Sequence, residues 1–239
     1  MGKVGLIIQC RLSSTRLPGK AMLDMFERPM IYRIIERVTR CKLVDLIILA
    51  LPDKNESQLI VDAVKTLDVK IFLGDENNLV KRYIDCAEAY DISQIIRLPA
   101  DNVMPDPDLI DKLITWHMKN NLHGFSSNLS SVLNNQMLDG AGAEIFPAFS
   151  LKQAAKLDPS PEQLEHVHLN FYDYKTKKIC DNKKFPVAAP PVEELLAHPE
   201  IVLDVNTLND YVTMNALFCS LYKASSTFDI YDVVKKLGY

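Results

Sequence analysis

The sequence predicts an α/β fold, a mainly parallel sheet flanked by helices, and three observations carry that expectation. Short aliphatic runs alternate with longer segments whose apolar residues recur at helical spacing through the first hundred positions. The aliphatic runs are continuous and rich in Val and Ile, as in strands buried on both faces. A chain of 239 residues is also long enough to bury a substantial core as one large unit.

The strands come first as "VGLIIQ" (4–9), "VDLIILAL" (44–51), "VKIFL" (69–73) and "QIIRLP" (94–99). Between them, Met30, Ile31, Ile34, Ile35 and Val38 share one face behind Pro29, a favoured residue at a helix start. Leu59, Ile60, Ala63, Val64 and Leu67 repeat that spacing, as do Leu79, Tyr83, Cys86, Ala87 and Tyr90. Strand and helix in this rhythm imply right-handed βαβ units. A fourth helix is expected over 107–120, with Leu109, Ile110, Leu113 and Trp116 facing the core.

Beyond it the rhythm breaks. Residues 121–150 read as short strand-like pieces and polar turns, and 151–174 as helix interrupted at "DPSPEQ". Residues 183–192 are proline-rich and expected to be extended. A last strand at 201–206 leads to a helix over "TLNDYVTMNALFCSLYK" and a terminal helix around "IYDVVKKLG". There is no internal repeat, so one domain over 1–239 is expected, with 121–200 a small β-rich excursion that shapes part of the site.

Lys and Arg total 27 against 31 Asp and Glu, a net charge of −4, which argues against a general nucleic-acid or anionic-membrane surface. No run approaches the roughly 18 apolar residues of a membrane span, and "MGKVGLIIQ" does not read as a secretory signal. A cytoplasmic protein is expected. Five scattered cysteines without a C-x-x-C pair suggest neither a disulfide framework nor a zinc site. His117, His123 and His198 have no evident partners and are expected at the surface.

The stretch "QCRLSSTRLPGK" concentrates Arg11, Arg16 and Lys20 with Ser13, Ser14 and Thr15 directly behind the first strand. Ligands in open parallel sheets bind beyond the carboxyl ends of the strands, and cations with hydroxyls there suit a polyphosphate. The loop is not a P-loop, which would need Gly at position 14 and Ser or Thr at 21, where Ser14 and Ala21 stand. Nor is there a G-x-G-x-x-G. Metal ligands would have to come from elsewhere. Asp101 follows the fourth strand and Asp204 lies in the last one; either places a carboxylate at the same edge, while Asp106 and Asp108 read as helix caps.

These residues carry a resemblance. "QCRLSSTRLPGK" is similar to the A-R-x-x-S-x-R-L-P-x-K loop of the cytidylyltransferases that activate sugars with CMP, above all the SpsF-like members, with CMP-KDO and CMP-acylneuraminate synthetases further off. "ERPMIYRIIER", "GDENNLVKRYIDCAEAY", "RLPADNVMPDPDLID", "LEHV" and "LDVNTLNDY" resemble further blocks of that family in the same order, across nearly the whole chain. The resemblance implies a Rossmann-like, nucleotidyltransferase or GT-A-like sheet, CTP and a sugar-type acceptor as partners, Mg²⁺ as cofactor and a homodimer. It assigns the triphosphate to Arg11, Arg16 and Lys20, with Ser14 nearby. The cytosine falls to Leu51, Pro52 and Asp53, and Arg82 steadies the nucleotide. Asp101, Asp204 and Asn206 take the metal, and Glu144, Glu165 and His166 lie nearer the acceptor. Asn206 stands where the family usually has Asp, and Gly142 where an acidic residue is frequent. Uridylyl or guanylyl transfer to a sugar 1-phosphate, and a non-catalytic nucleotide-binding module, remain the alternative readings.

Overall fold

The structure is a computed structural model, which describes residues 2–180 and 185–239. Strands β1 (Lys3–Gln9), β2 (Leu46–Pro52), β3 (Lys70–Gly74) and β4 (Ile92–Pro99) alternate with helices α1 (Met30–Val38), α2 (Ser57–Val64) and α3 (Leu79–Ala89). They pair in parallel in the order β3-β2-β1-β4. After α4 (Pro107–Asn120), the short strands β5 (Phe125–Ser127) and β6 (Glu144–Pro147) extend the same sheet, β6 running antiparallel to β4. Helices α5 (Ala148–Ala154) and α6 (Pro161–Glu165) and the separate hairpin β7 (Tyr172–Asp173) and β8 (Lys178–Ile179) follow. Strand β9 (Val187–Ala188) closes the seven-stranded sheet beside β5, and α7 (Leu208–Ala224) and α8 (Ile230–Lys236) end the chain.

Because side chains alternate across a strand, the continuous aliphatic runs feed two cores. Leu6, Ile8, Leu49, Leu51, Ile96 and Leu98 pack with α1, α2, α4, α7 and α8. Ile7, Ile48, Ala50 and Ile95 pack on the opposite face with α3, α5 and the stacked rings of Phe125, Phe146 and Phe171. Caps set where the helices begin. Asp106 accepts from Leu109 N at the start of α4 and from Ile230 N of α8, so one carboxylate fixes two helix starts. Thr207 and Asp210 form a capping box on α7, and the Asp210 carboxylate also takes the Asn206 N–H.

Several sequence expectations are corrected. Residues 201–206 are not a sheet strand: the segment makes only isolated bridges, Asp139 with Val202 and Asn102 with Asp204. The edge beyond β9 lies elsewhere, and the segment is spent crossing the carboxyl end of the sheet. Residues 151–174 break into α5, α6, a 3-10 turn at Val167–Asn170 and β7, because Pro159 and Pro161 interrupt the ladder. The segment 183–192 is extended at β9, as expected; its first two residues lie outside the described ones. Leu59 points to solvent rather than into the core. His198 is paired with Glu200 at 3.0 Å.

His117 is fully buried, not on the surface. Its Nε2–H donates to Gln94 Oε1 (3.2 Å), and its Nδ1 accepts from the Ser126 hydroxyl (2.8 Å). Ser126 in turn accepts from Asn121 Nδ2. Burial pulls the imidazole pKa from 6.5 down to about 4, so the folded state holds it neutral while the unfolded chain takes up a proton below pH 6.5. Its contribution is therefore complete above pH 6.5 and is lost as the pH falls toward 4. Denaturant unfolding at fixed salt is expected to show stability dropping by about 1.4 kcal/mol per pH unit across that window from this group, and His117→Gln is expected to flatten the slope by that amount.

Candidate active site

A cavity of about 770 Å³ opens at the carboxyl ends of β1 and β4. One wall is the loop after β1. It is built by local turns: Ser14 N and Gly19 N both donate to Leu12 O at 2.9 Å, and Gly19 takes a left-handed φ of 69°, the conformation glycine adopts at no steric cost. The turns throw three cations outward. Lys20 Nζ donates to Val205 O (2.7 Å) and sits 3.3 Å from Asp101 Oδ2, Arg16 Nη2 donates to Asn206 Oδ1 (2.7 Å), and Arg11 pairs with Glu165 of α6 (2.9 Å).

The opposite wall carries the carboxylates. Asp101 lies in the turn after β4, and its carbonyl accepts from Val205 N, tying that turn to the 201–206 segment. Asn206 Nδ2 donates to Asp204 Oδ2 at 2.5 Å. Asn206 thus relays Arg16 to Asp204, a bridging role that an Asp at this position, having no donor, would not fill. Burial and then the charge of Asp101 hold the Asp204 pKa above the ordinary carboxylate range. Asp139 joins them beneath the segment, where burial and Asp204 push its pKa up to about 6. Gly140 makes that approach possible: its φ is 100°, and a Cβ there would lie 3.1 Å from the Leu203 carbonyl carbon.

The floor is a buried polar network. Arg97 Nη1 donates to Glu144 Oε2 (2.7 Å), and Tyr174 Oη donates to Glu144 Oε1 (3.0 Å) and contacts Ser127 Oγ (2.8 Å). Arg97 Nε donates to Gln9 Oε1 (3.0 Å), which also accepts from Tyr83 Oη (2.9 Å). Burial alone would lower the Arg97 pKa, but the facing Glu144 outweighs it and raises it. His168 lines the same wall; burial and then Arg97 pull its pKa down to about 3, so it is neutral at working pH.

Of the residues singled out from sequence, Arg11, Ser14, Arg16, Lys20, Arg82, Asp101, Glu144, Glu165, His166, Asp204 and Asn206 all line this one cavity. Arg82 also braces the turn after β3 by donating to Asp75 O and Glu76 O. Leu51, Pro52 and Asp53 do not line it. Leu51 is fully buried in the core, the Pro52 carbonyl accepts from the Ser57 hydroxyl, and Asp53 N donates to Gly74 O. Glu76, Asn77 and Leu79 form that end of the cavity instead. Glu144 is fully buried with both oxygens engaged, so it supports Arg97 and offers nothing to a ligand directly. Gln9, Arg97, Asp139 and Tyr174 escaped the sequence reading. Only Arg97 left a signal there, a cation inside an otherwise apolar strand.

A parallel sheet whose first turn sets three cations against carboxylates from two other segments defines the nucleotidyltransferase class. The family profile described as cytidylyltransferase matches residues 6–191, and the chain belongs to that family. An uncharacterized protein of Methanocaldococcus jannaschii is 29% identical over 205 residues, covering 86% of this chain and 79% of its own. The spore coat polysaccharide biosynthesis protein SpsF of Bacillus subtilis is 26% identical, with 91% and 87% covered. A cytidylyltransferase structure from Leptospira borgpetersenii matches with a TM-score of 0.84 at 24% identity over 98% of this chain and 93% of that one. A CMP:2-keto-3-deoxy-manno-octonic acid synthetase complexed with CTP matches at 0.64 and 19% over 91% and 99%. Both structures share the fold.

The Arg11–Glu165 pair is half exposed on both sides, so it contributes at most about 1 kcal/mol. Glu165→Gln is therefore expected to leave thermal stability nearly unchanged while freeing Arg11. Calorimetric titration with pyrophosphate should show tighter binding in the variant; unchanged or weaker binding would mean that Arg11 does not meet the anion.

Proposed function

We propose that this chain transfers CMP from CTP to a sugar or sugar-acid acceptor with release of pyrophosphate. The observation that carries the reading is the convergence of Arg16 and Lys20 on Asn206 and Asp101 across one cavity. Those cations are held ready for a polyphosphate by groups that it would displace or share. Membership of the cytidylyltransferase family and the likeness to SpsF support CTP as donor and glycan building as the setting.

In the reaction an acceptor oxygen attacks the α-phosphorus, the new O–P bond forms, and the bond to the β-phosphate oxygen breaks. The hydroxyl proton leaves to a cavity base. Arg11, Arg16 and Lys20 bind the β- and γ-phosphates and stabilise the charge that builds on the departing pyrophosphate. Gly19 and the turns around Leu12 hold these side chains in place before substrate arrives, so little reorganisation is needed.

Asp101 and Asp204, with the Asn206 amide oxygen, offer hard oxygen donors that suit Mg²⁺. Two converging carboxylates, one with its pKa held up by burial and then by the other's charge, are what a divalent cation relieves. Mg²⁺ needs few protein carboxylates, because it keeps several waters and takes phosphate oxygens. Such an ion would neutralise phosphate charge at the reacting centre.

Pyrophosphate release measured with each of the four nucleoside triphosphates and a panel of acceptors tests the reading: CTP is expected to dominate, and equal or greater turnover of UTP or GTP would sink it. Arg16→Ala and Lys20→Ala are each expected to lower turnover by about 10²–10³-fold. Asn206→Asp adds a third carboxylate beside Asp204; Mn²⁺ titration followed by electron paramagnetic resonance should show tighter binding in the variant without nucleotide.

A further inference from the structure

We propose that α6 is a strap latched by Arg11 and released by a polyphosphate, so that the cavity wall carrying Glu162 and His166 is free to move only once a nucleotide is in place. This deepens the cytidylyl-transfer reading and rests on it for the nucleotide, though not for the polyphosphate.

The segment from Leu157 to Leu169 is loosely held. α6 buries none of its five residues, and Leu157, Asp158, Ser160, Glu165 and His166 are exposed. Its own polar contacts close locally: Ser160 and Gln163 form a capping box, Gln163 Nε2 donates to Leu169 O (3.3 Å), and the neighbouring Asn170 Nδ2 donates to Gln163 O (2.9 Å). Pro159 and Pro161 have no N–H to bond, and Asp158 before them takes a left-handed φ of 54°. Among the described residues, the pair between Glu165 Oε1 and Arg11 Nη2, at 2.9 Å, is the one side-chain hydrogen bond or ion pair that ties this segment to a distant part of the chain. Leu164 and Val167 pack into the second core and keep the wall attached when that pair opens.

The latch partner is itself a phosphate-binding cation. Arg11 stands on the loop after β1 with Arg16 and Lys20, and all three line the cavity. A polyphosphate meets the three cations together and carries more charge than one carboxylate, so it displaces Glu165 from Arg11. Glu165 is then left unpaired beside phosphate oxygens, with Glu162 three residues back on the same helix, and both line the cavity. Like charges at that range repel. The anion therefore removes the latch and drives the strap outward. When pyrophosphate leaves, Arg11 recovers Glu165 and the wall resets.

The latch is also weak enough to yield. Its two side chains are 51% and 52% exposed, so opening it changes the local equilibrium by at most about fivefold. By linkage, the same factor is the most that it subtracts from nucleotide affinity.

Hydrogen–deuterium exchange on the full chain without divalent metal reads the strap directly, with pyrophosphate, CTP and cytidine as probes and calorimetry to set saturation. Amides of 162–169 are expected to exchange up to about fivefold faster with pyrophosphate or CTP. Cytidine, which has no phosphate to meet Arg11, is expected to leave them unchanged. In Glu165→Gln the empty protein should exchange as fast as the loaded wild type, and pyrophosphate should add nothing further. Glu162→Gln keeps the latch and should respond as the wild type does.

Unchanged or slower exchange at saturating pyrophosphate, a response to cytidine equal to that of CTP, or a Glu165→Gln strap that exchanges as slowly as the wild type overturns the proposal. So does the absence of pyrophosphate binding. The parent reading fails separately: if pyrophosphate releases the strap and no acceptor draws pyrophosphate from CTP, transfer is wrong and the latch stands.

Discussion

The molecule depends on the parallel pairing of β1 with β4. Their register sets Gln9 opposite Pro99 and Ile7 opposite Arg97, so the two chains leave the sheet side by side and turn away in different directions. One turn becomes the cation-bearing loop and the other carries Asp101. The sheet order 3-2-1-4 places this divergence where the strand order reverses, the position at which open parallel sheets leave a crevice. Helices on both faces then bury the strands and leave that edge as the place where ligands enter.

The crevice would be electrostatically costly if either wall stood alone. Three cations on one short loop repel one another, as do Asp101, Asp139 and Asp204 across from them. Facing the two walls across a narrow gap lets Lys20 offset Asp101, while the amide of Asn206 carries Arg16 to Asp204. The arrangement holds each side chain in place without sealing it. An anion entering the gap can take over the pairings of Arg16 and Lys20 group by group, which keeps reorganisation small.

Residue 206 illustrates how far sequence and structure inform one another. From the sequence, Asn206 is a departure from an expected acid; in the structure its amide accepts from Arg16 with one end and donates to Asp204 with the other. Residues 51–53, expected near the base, stand outside the cavity's lining for a reason of position. Leu51 and Pro52 end β2 with Leu51 turned into the core, the Pro52 carbonyl accepts from the Ser57 hydroxyl, and Asp53 N donates to Gly74 O. His117 was partly legible: four residues after Leu113 it falls on the core face of α4, but only the tertiary structure brings Gln94 of β4 and Ser126 of β5 to its two ring nitrogens.

The sequence by itself determined the alternation of buried strands and amphipathic helices, the cationic first loop and the acidic turn after β4. Each is encoded within about a dozen neighbouring residues by periodicity, turn chemistry or local charge. Tertiary structure alone decided that Arg97 is gripped by Gln9 and Glu144, that Asp139 reaches the carboxylates, and that residues 201–206 cross the sheet's end instead of joining it. These contacts link positions 47 to 88 residues apart, or more, along the chain. Their partners are chosen by register and by the need to satisfy buried polar groups, and no local pattern records that choice.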